Sequence, residues 1–163
     1  MRLISARSRR QLPAGALLVI LLSLEVPILS SQESELGKTR KIAEAQHDIV
    51  MILIKKKDFT KAAEEANKIF QMKWPDDEES VLKDELLRFS DLFRHYNQPA
   101  LALQLLDKNM GLFKSRKIRA EILKDKAYLL EGMGQHDPAL ECFREAKHLL
   151  EDEPPQPPQR IKK

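Results

Sequence analysis

The chain states Pro-Ala-Leu twice, in HYNQPALALQLLDKN at 95–109 and in GQHDPALECFREAKH at 134–148, each time after a polar turn. The two prolines, at 99 and 138, lie 39 residues apart. That interval suits one antiparallel helix pair with its connectors. A sequence that returns to the same turn and helix start at such an interval is constrained to build similar units in series.

The apolar pattern between the turns is helical. Ile42, Ile49, Val50, Leu53 and Ile54 fall on one stripe of a helix predicted over 40–56. The turn KKDF follows, and Thr60 can cap a second helix running to about Met72. Pro75 stops that helix, and the acidic run from Asp76 to Glu79 suits the positive N-terminus of the next. The run lacks the alternating carboxylates and glycine of a calcium loop, so no metal site is assigned. A third helix over 79–96 carries Leu82, Leu86, Phe89 and Phe93 on its apolar face. A fourth runs from Pro99 to before Gly111, and Ser115 opens a fifth that ends at Gly-Met-Gly. Asp137 is placed as cap of a sixth, with Pro138 in its first turn, and this helix runs to about Glu151. No alternating Val/Ile/Thr run lies between Gly-Asn turns, so the expected fold class is all-α, with three antiparallel hairpins.

The phrases KKDFTKAAEEANKIF and MGQHDPALECFREAKHLL resemble tetratricopeptide repeats, 34-residue helix hairpins with the pattern W-x2-L-G-x2-Y followed by A-x3-F. The resemblance covers about 40–151 and implies an α-solenoid of three repeats. Leu123, Ala127, Leu130, Ala139, Phe143 and Ala146 fill the large and small slots of the third repeat. Ile49, Val50, Leu53, Ala62 and Ala66 fill those of the first. For the second, aligning the two Pro-Ala-Leu triplets pairs Ala100 with Ala139 and puts Arg88, Asp91 and Gln104 at buried contacts, which is costly. Anchoring on Ala102 gives Leu86, Phe89, Ser90, Phe93, Ala102 and Leu106, all apolar or small. The Ala102 frame is therefore preferred, two residues away from the obvious echo. Gln46 replaces the first aromatic of the pattern, Lys126 stands where a leucine is usual, and the spacings of 40 and 37 exceed 34. Longer connectors are expected around 72–79 and 109–115.

Charge narrows the function classes. The net charge of +3 resides in residues 1–30, where Arg2, Arg7, Arg9 and Arg10 oppose Glu25. The remainder holds 24 basic and 24 acidic residues, which gives no electrostatic footprint for nucleic acid. The arginines precede an apolar run from Leu12 to Leu24 that resembles a secretory signal peptide. No A-x-A triplet marks a cleavage site, and an uncleaved anchor over 12–29 is the alternative. Either places the rest of the chain outside the cytoplasm, in the periplasm or cell envelope, with membrane contact only through this segment. The organisation expected is 1–31 signal peptide or anchor, 32–39 linker, 40–151 repeat domain and 152–163 an extended Pro-rich tail.

In the resembled family the first helices of the hairpins line an inner face where partners bind. By helical phase that face should present Glu44, His47, Met51, Ile54 and Lys55, then Leu87, Asp91 and Arg94, then Lys124, Tyr128 and Glu131. The partner-binding set expected is His47, Met51, Ile54, Leu87, Asp91, Arg94, Lys124, Tyr128 and Glu131. Mixed apolar and charged groups suit a protein partner supplied as a peptide or helix. The Lys/Asn constellation that clamps a C-terminal carboxylate in some members is not reproduced. His47, His95, His136 and His148 show no metalloprotease spacing, Cys142 is the one cysteine, and no nucleophile elbow or phosphate loop occurs. No catalytic, cofactor or metal residues are assigned. Because no polar helix follows Leu150, either the sixth helix is polar enough on its outer side or its apolar edge at Phe143, Leu149 and Leu150 docks on a partner or a second copy.

Overall fold

The computed structural model describes the backbone of residues 27–151 and the side chains of 35–151. The proposed export segment, 1–31, lies mostly outside these residues, as does the 152–163 tail. The chain divides into a unit Met1–Gly37 and a unit Lys38–Lys163, and the hairpins belong to the second.

Six helices account for the described chain: α1 (Pro27–Lys55), α2 (Phe59–Phe70), α3 (Glu79–His95), α4 (Pro99–Asn109), α5 (Arg116–Gly132) and α6 (His136–Glu151). No strand occurs among the described residues, and the fold class is all-α. The segment 32–39, expected to be a linker, is part of α1. No described helix is long and apolar enough to cross a membrane.

The helix pairs are closed by three turns of one kind. Residues 56–58, 96–98 and 133–135 separate α1 from α2, α3 from α4 and α5 from α6. The central residue of each turn is left-handed: Lys57 at φ 61°, Asn97 at 58° and Gly134 at 74°. The hydrogen bonds also match. Asp58 N donates to Leu53 O, Gln98 N to Phe93 O and Gln135 N to Leu130 O, at 3.0, 2.8 and 2.9 Å. This is the Schellman closure, in which the 6→1 bond satisfies a carbonyl that the helix end leaves free. Set on this frame, Pro99 stands two residues after its turn centre and Pro138 four after its own. The Pro-Ala-Leu triplets therefore occupy different positions, two residues apart.

Burial follows the Ala102 frame. Leu86, Phe89, Phe93, Ala102 and Leu106 are all fully buried, and Ser90 is 1% exposed. Ala100, Arg88, Asp91 and Gln104, which the other frame would bury, are exposed. Ala62 and Ala66 in the first hairpin, and Ala127, Ala139 and Ala146 in the third, are also buried. One cluster gathers α1 to α4 around Phe89 and Phe93 with Ile122 and Leu129 of α5. A second lies between α5 and α6, where Ala120, Ala127, Ala139, Cys142 and Ala146 let the two helices approach closely. Burying a phenylalanine or leucine contributes roughly 1.5–3 kcal/mol, so these slots carry much of the fold.

Three local expectations are corrected. Ile42 and Ile49 are exposed, because the buried stripe of α1 runs through Val50 and Ile54. Asp58, and not Thr60, caps α2, its carboxylate accepting from Lys61 N. Asp137 is no cap, because α6 already starts at His136; it lies with Pro138 in the first turn. Ser115 does cap α5, accepting from Ile118 N. The longer connectors expected after α2 and α4 are present, each with a short 3-10 turn, Asp76–Glu78 and Met110–Leu112.

Both departures from the resembled pattern have a physical account. Gln46 Nε2 donates to the backbone oxygen of Glu65 at 3.1 Å and to its carboxylate at 2.6 Å, stapling α1 to α2 where an aromatic ring would pack. Lys126 reaches Asp107 of α4 at 2.6 Å. Burial works against the Lys126 charge, but the bond and charge of Asp107 outweigh it and leave its pKa raised.

Candidate functional site

Successive first helices and the connectors before them are joined by polar contacts, four of which share one sequence offset. Arg40 of α1 pairs with Glu78 at 2.5 Å, and His47 Nδ1 meets Glu85 of α3 at 2.5 Å. Lys83 of α3 reaches Glu121 of α5 at 2.8 Å, and Lys114 pairs with Asp76 at 2.7 Å. The two partners lie 38 residues apart in every case. A carboxylate only accepts, so His47 carries its proton on Nδ1 toward Glu85.

Between α1 and α3 these contacts border an open groove of about 400 Å³. Its apolar lining comes from Ala43 of α1, Ile69 of α2, and Val81 and Leu82 of α3. Trp74, from the connector before α3, forms a further wall, its ring held by a bond from Nε1 to Ile69 O at 2.8 Å. Val81 is 56% exposed and offers its side chain to an occupant. Around this lining stand Arg40, Glu44, His47, Asp48, Glu85 and Arg88, with Glu78 at 5% exposure. The His47 ring also lies against Phe89, centroids 5.4 Å apart, which ties the rim to the core.

The groove is acidic. Glu44, Asp48, Glu78 and Glu85 against Arg40 and Arg88 leave a net of −2 with His47 neutral (2 − 4). Glu78 is the most constrained of the four: Oε1 takes the Arg40 contact, while Oε2 is buried with no hydrogen-bond partner among the described residues. An unsatisfied buried acceptor costs about 1–3 kcal/mol.

The expected inner-face residues do not form one site. His47 is in the groove, together with Glu44. Ile54 is 1% exposed and belongs to the core, and Met51 is half-buried against it. Neither is presented as the helical phase suggested, because α1 turns this side onto the core. Leu87 and Asp91 share a shallow depression along α3 with His95, and Arg94 pairs with Asp91. Lys124 lies in a third depression with Phe143 and Lys147 of α6. Tyr128 is 52% exposed with its ring edge-on to Phe143 at 5.3 Å, and Glu131 is exposed.

Sequence reasoning missed Arg40, Trp74, Glu78, Val81 and Glu85. No local pattern marks them, because Glu78 and Glu85 are identified only by the residues 38 earlier that meet them, Arg40 and His47. The acidic run lies at the start of α3, with Glu79 in its first turn, and it also serves a second helix end. Glu79 accepts from Lys114 N at 2.6 Å and from Ser115 N at 3.1 Å, at the start of α5. Burial pushes the Cys142 thiol up, so it is held protonated near neutral pH. Among the described residues no group of His, Cys, Asp or Glu is placed to hold a metal ion.

Compared with known proteins, the chain matches no protein-family model, no curated protein and no solved structure.

Proposed function

We propose that the chain is a non-enzymatic interaction module, a tetratricopeptide-like scaffold or adaptor exported to or anchored in the cell envelope. Its partner is a protein segment, a peptide or a helix, bound along the first helices of the hairpins. The observation that carries this reading is the groove between α1 and α3, where an exposed Val81 and the Trp74 ring stand beside a carboxylate left with a free oxygen. Apolar surface for affinity and a few fixed polar groups for orientation are what peptide recognition needs. Affinity capture from the native envelope fraction tests it, comparing wild type with Val81→Asp and Leu87→Ala. Specific partners should be recovered by the wild type and lost with at least one variant. Recovery of none above a blank resin overturns the reading.

A second reading, self-association, is favoured by the two ends of the array. Ile42, Ile49 and Ile52 of α1 are 58%, 45% and 55% exposed, and Leu140 and Leu150 of α6 are 47% and 43% exposed. A head-to-tail contact between such ends would generate a ring or a filament. Light scattering after size exclusion decides this: a monomer at all concentrations removes the second reading.

A further inference from the structure

We propose that the occupant of the α1–α3 groove is a partner-protein segment that inserts an arginine or lysine side chain flanked by apolar residues. This deepens the interaction reading and rests on it. The argument starts from Glu78. Glu78 is 5% exposed, lines the groove and has one carboxylate oxygen satisfied by Arg40 and the other without a partner among the described residues. A buried anion with an open acceptor favours a ligand that brings an N–H donor and a positive charge, because charge-assisted bonds are about twice as strong as neutral ones. Arg40 holds Oε1 from a side chain that is 54% exposed, which leaves Oε2 for the incoming cation once a covering side chain gives way.

The rim supplies the second argument. Glu85 already has His47 at 2.5 Å and Arg88 at 3.8 Å, whereas Glu44 and Asp48 have no ion pair among the described residues. The uncompensated charge of the groove is therefore negative, and an acidic segment would be repelled. The third argument is the apolar lining. A bare cation would leave Val81, Leu82 and Trp74 in water, so the segment must carry apolar side chains beside its basic one. A guanidinium or ammonium can also stack on the Trp74 face.

Trp74 is the one tryptophan of the chain, so its fluorescence reports occupancy of the groove directly. Terminally blocked octapeptides in four sets, basic–apolar, acidic–apolar, neutral–apolar and basic–polar, would be titrated into the full chain. Fluorescence of Trp74 and anisotropy of labelled peptides would both be read. The basic–apolar set should bind at least about tenfold tighter than the other three and weaken as salt rises. Glu78→Gln should remove that preference. Glu44→Gln with Asp48→Asn, both exposed and remote from the core, should reduce it several-fold with unchanged thermal unfolding. Equal binding by all sets, tighter binding by the acidic set, or no binding overturns the proposal. Tightest binding by the chain's own 152–163 peptide, which carries Arg160, Ile161, Lys162 and Lys163, would assign the groove to a second copy and also overturn it. The two readings fail separately. If the peptides fail while capture still depends on Val81 or Leu87, only the basic segment is wrong.

Discussion

Lys57, Asn97 and Gly134 hold equivalent left-handed positions with three different side chains. An L-residue pays roughly 1–2 kcal/mol for that conformation, and glycine escapes the cost apart from its larger loss of chain freedom. Lys57→Gly should therefore stabilise the protein by about 0.5–1 kcal/mol, and Gly134→Ala should destabilise it by about 1 kcal/mol. Urea unfolding of the two variants checks the opposite signs. Asp125 gives a second prediction. Burial raises its pKa above the ordinary 3.8, the Ser90 hydroxyl opposes that at 2.7 Å, Asp91 adds to it and Arg94 opposes it. A carboxyl raised in the fold keeps its proton to higher pH than in the unfolded chain, so folding favours the acid. Its contribution is present at low pH and is lost as pH climbs from 3.8 through the raised value. Asp125→Asn, which keeps a partner for Ser90, should raise the Tm near neutral pH. The gain should vanish below pH 3.8. A gain that is flat with pH would show that ionisation of Asp125 is not its source.

At the scale of elements, the repeat frame is a packing statement and can be tested as one. Ala102 is fully buried where neighbouring helices meet, while Ala100, one alanine earlier on α4, is exposed. Ala102→Leu should cost about 1–3 kcal/mol by overpacking. Ala100→Leu should fall within about 0.5 kcal/mol of wild type. Thermal unfolding separates the two, and equal effects would dismiss the frame. These elements were largely legible in the sequence because apolar periodicity and turn residues act locally: α3 and its stripe Leu82, Leu86, Phe89 and Phe93 came out as expected. Helix starts were less legible, since Asp58 and Thr60 are both competent caps and the choice depends on where the preceding turn closes. α1 was misjudged on one side. Ile42 and Ile49 fit an apolar stripe on paper, yet the core selects Val50 and Ile54.

Across the whole molecule, the candidate site was legible only in part. His47 was found because its helix was found, but Glu78 and Trp74 lie in and beside a connector with no period to betray them. Their roles depend on a helix 38 residues earlier meeting them, as Arg40 meets Glu78. Long-range polar pairs of this kind carry no local sequence signature. Polar departures at Gln46 and Lys126 were visible as departures, and only the contacts to Glu65 and Asp107 explain them.

The central helix of the array is pinned on both flanks. α3 is tied to α1 through Glu85 and His47, and to α5 through Lys83 to Glu121 and Ser90 to Asp125. A force that bends the array cannot open one seam of α3 without loading the other. Within the hairpin unit, α3 is therefore the element that couples α1 to α5.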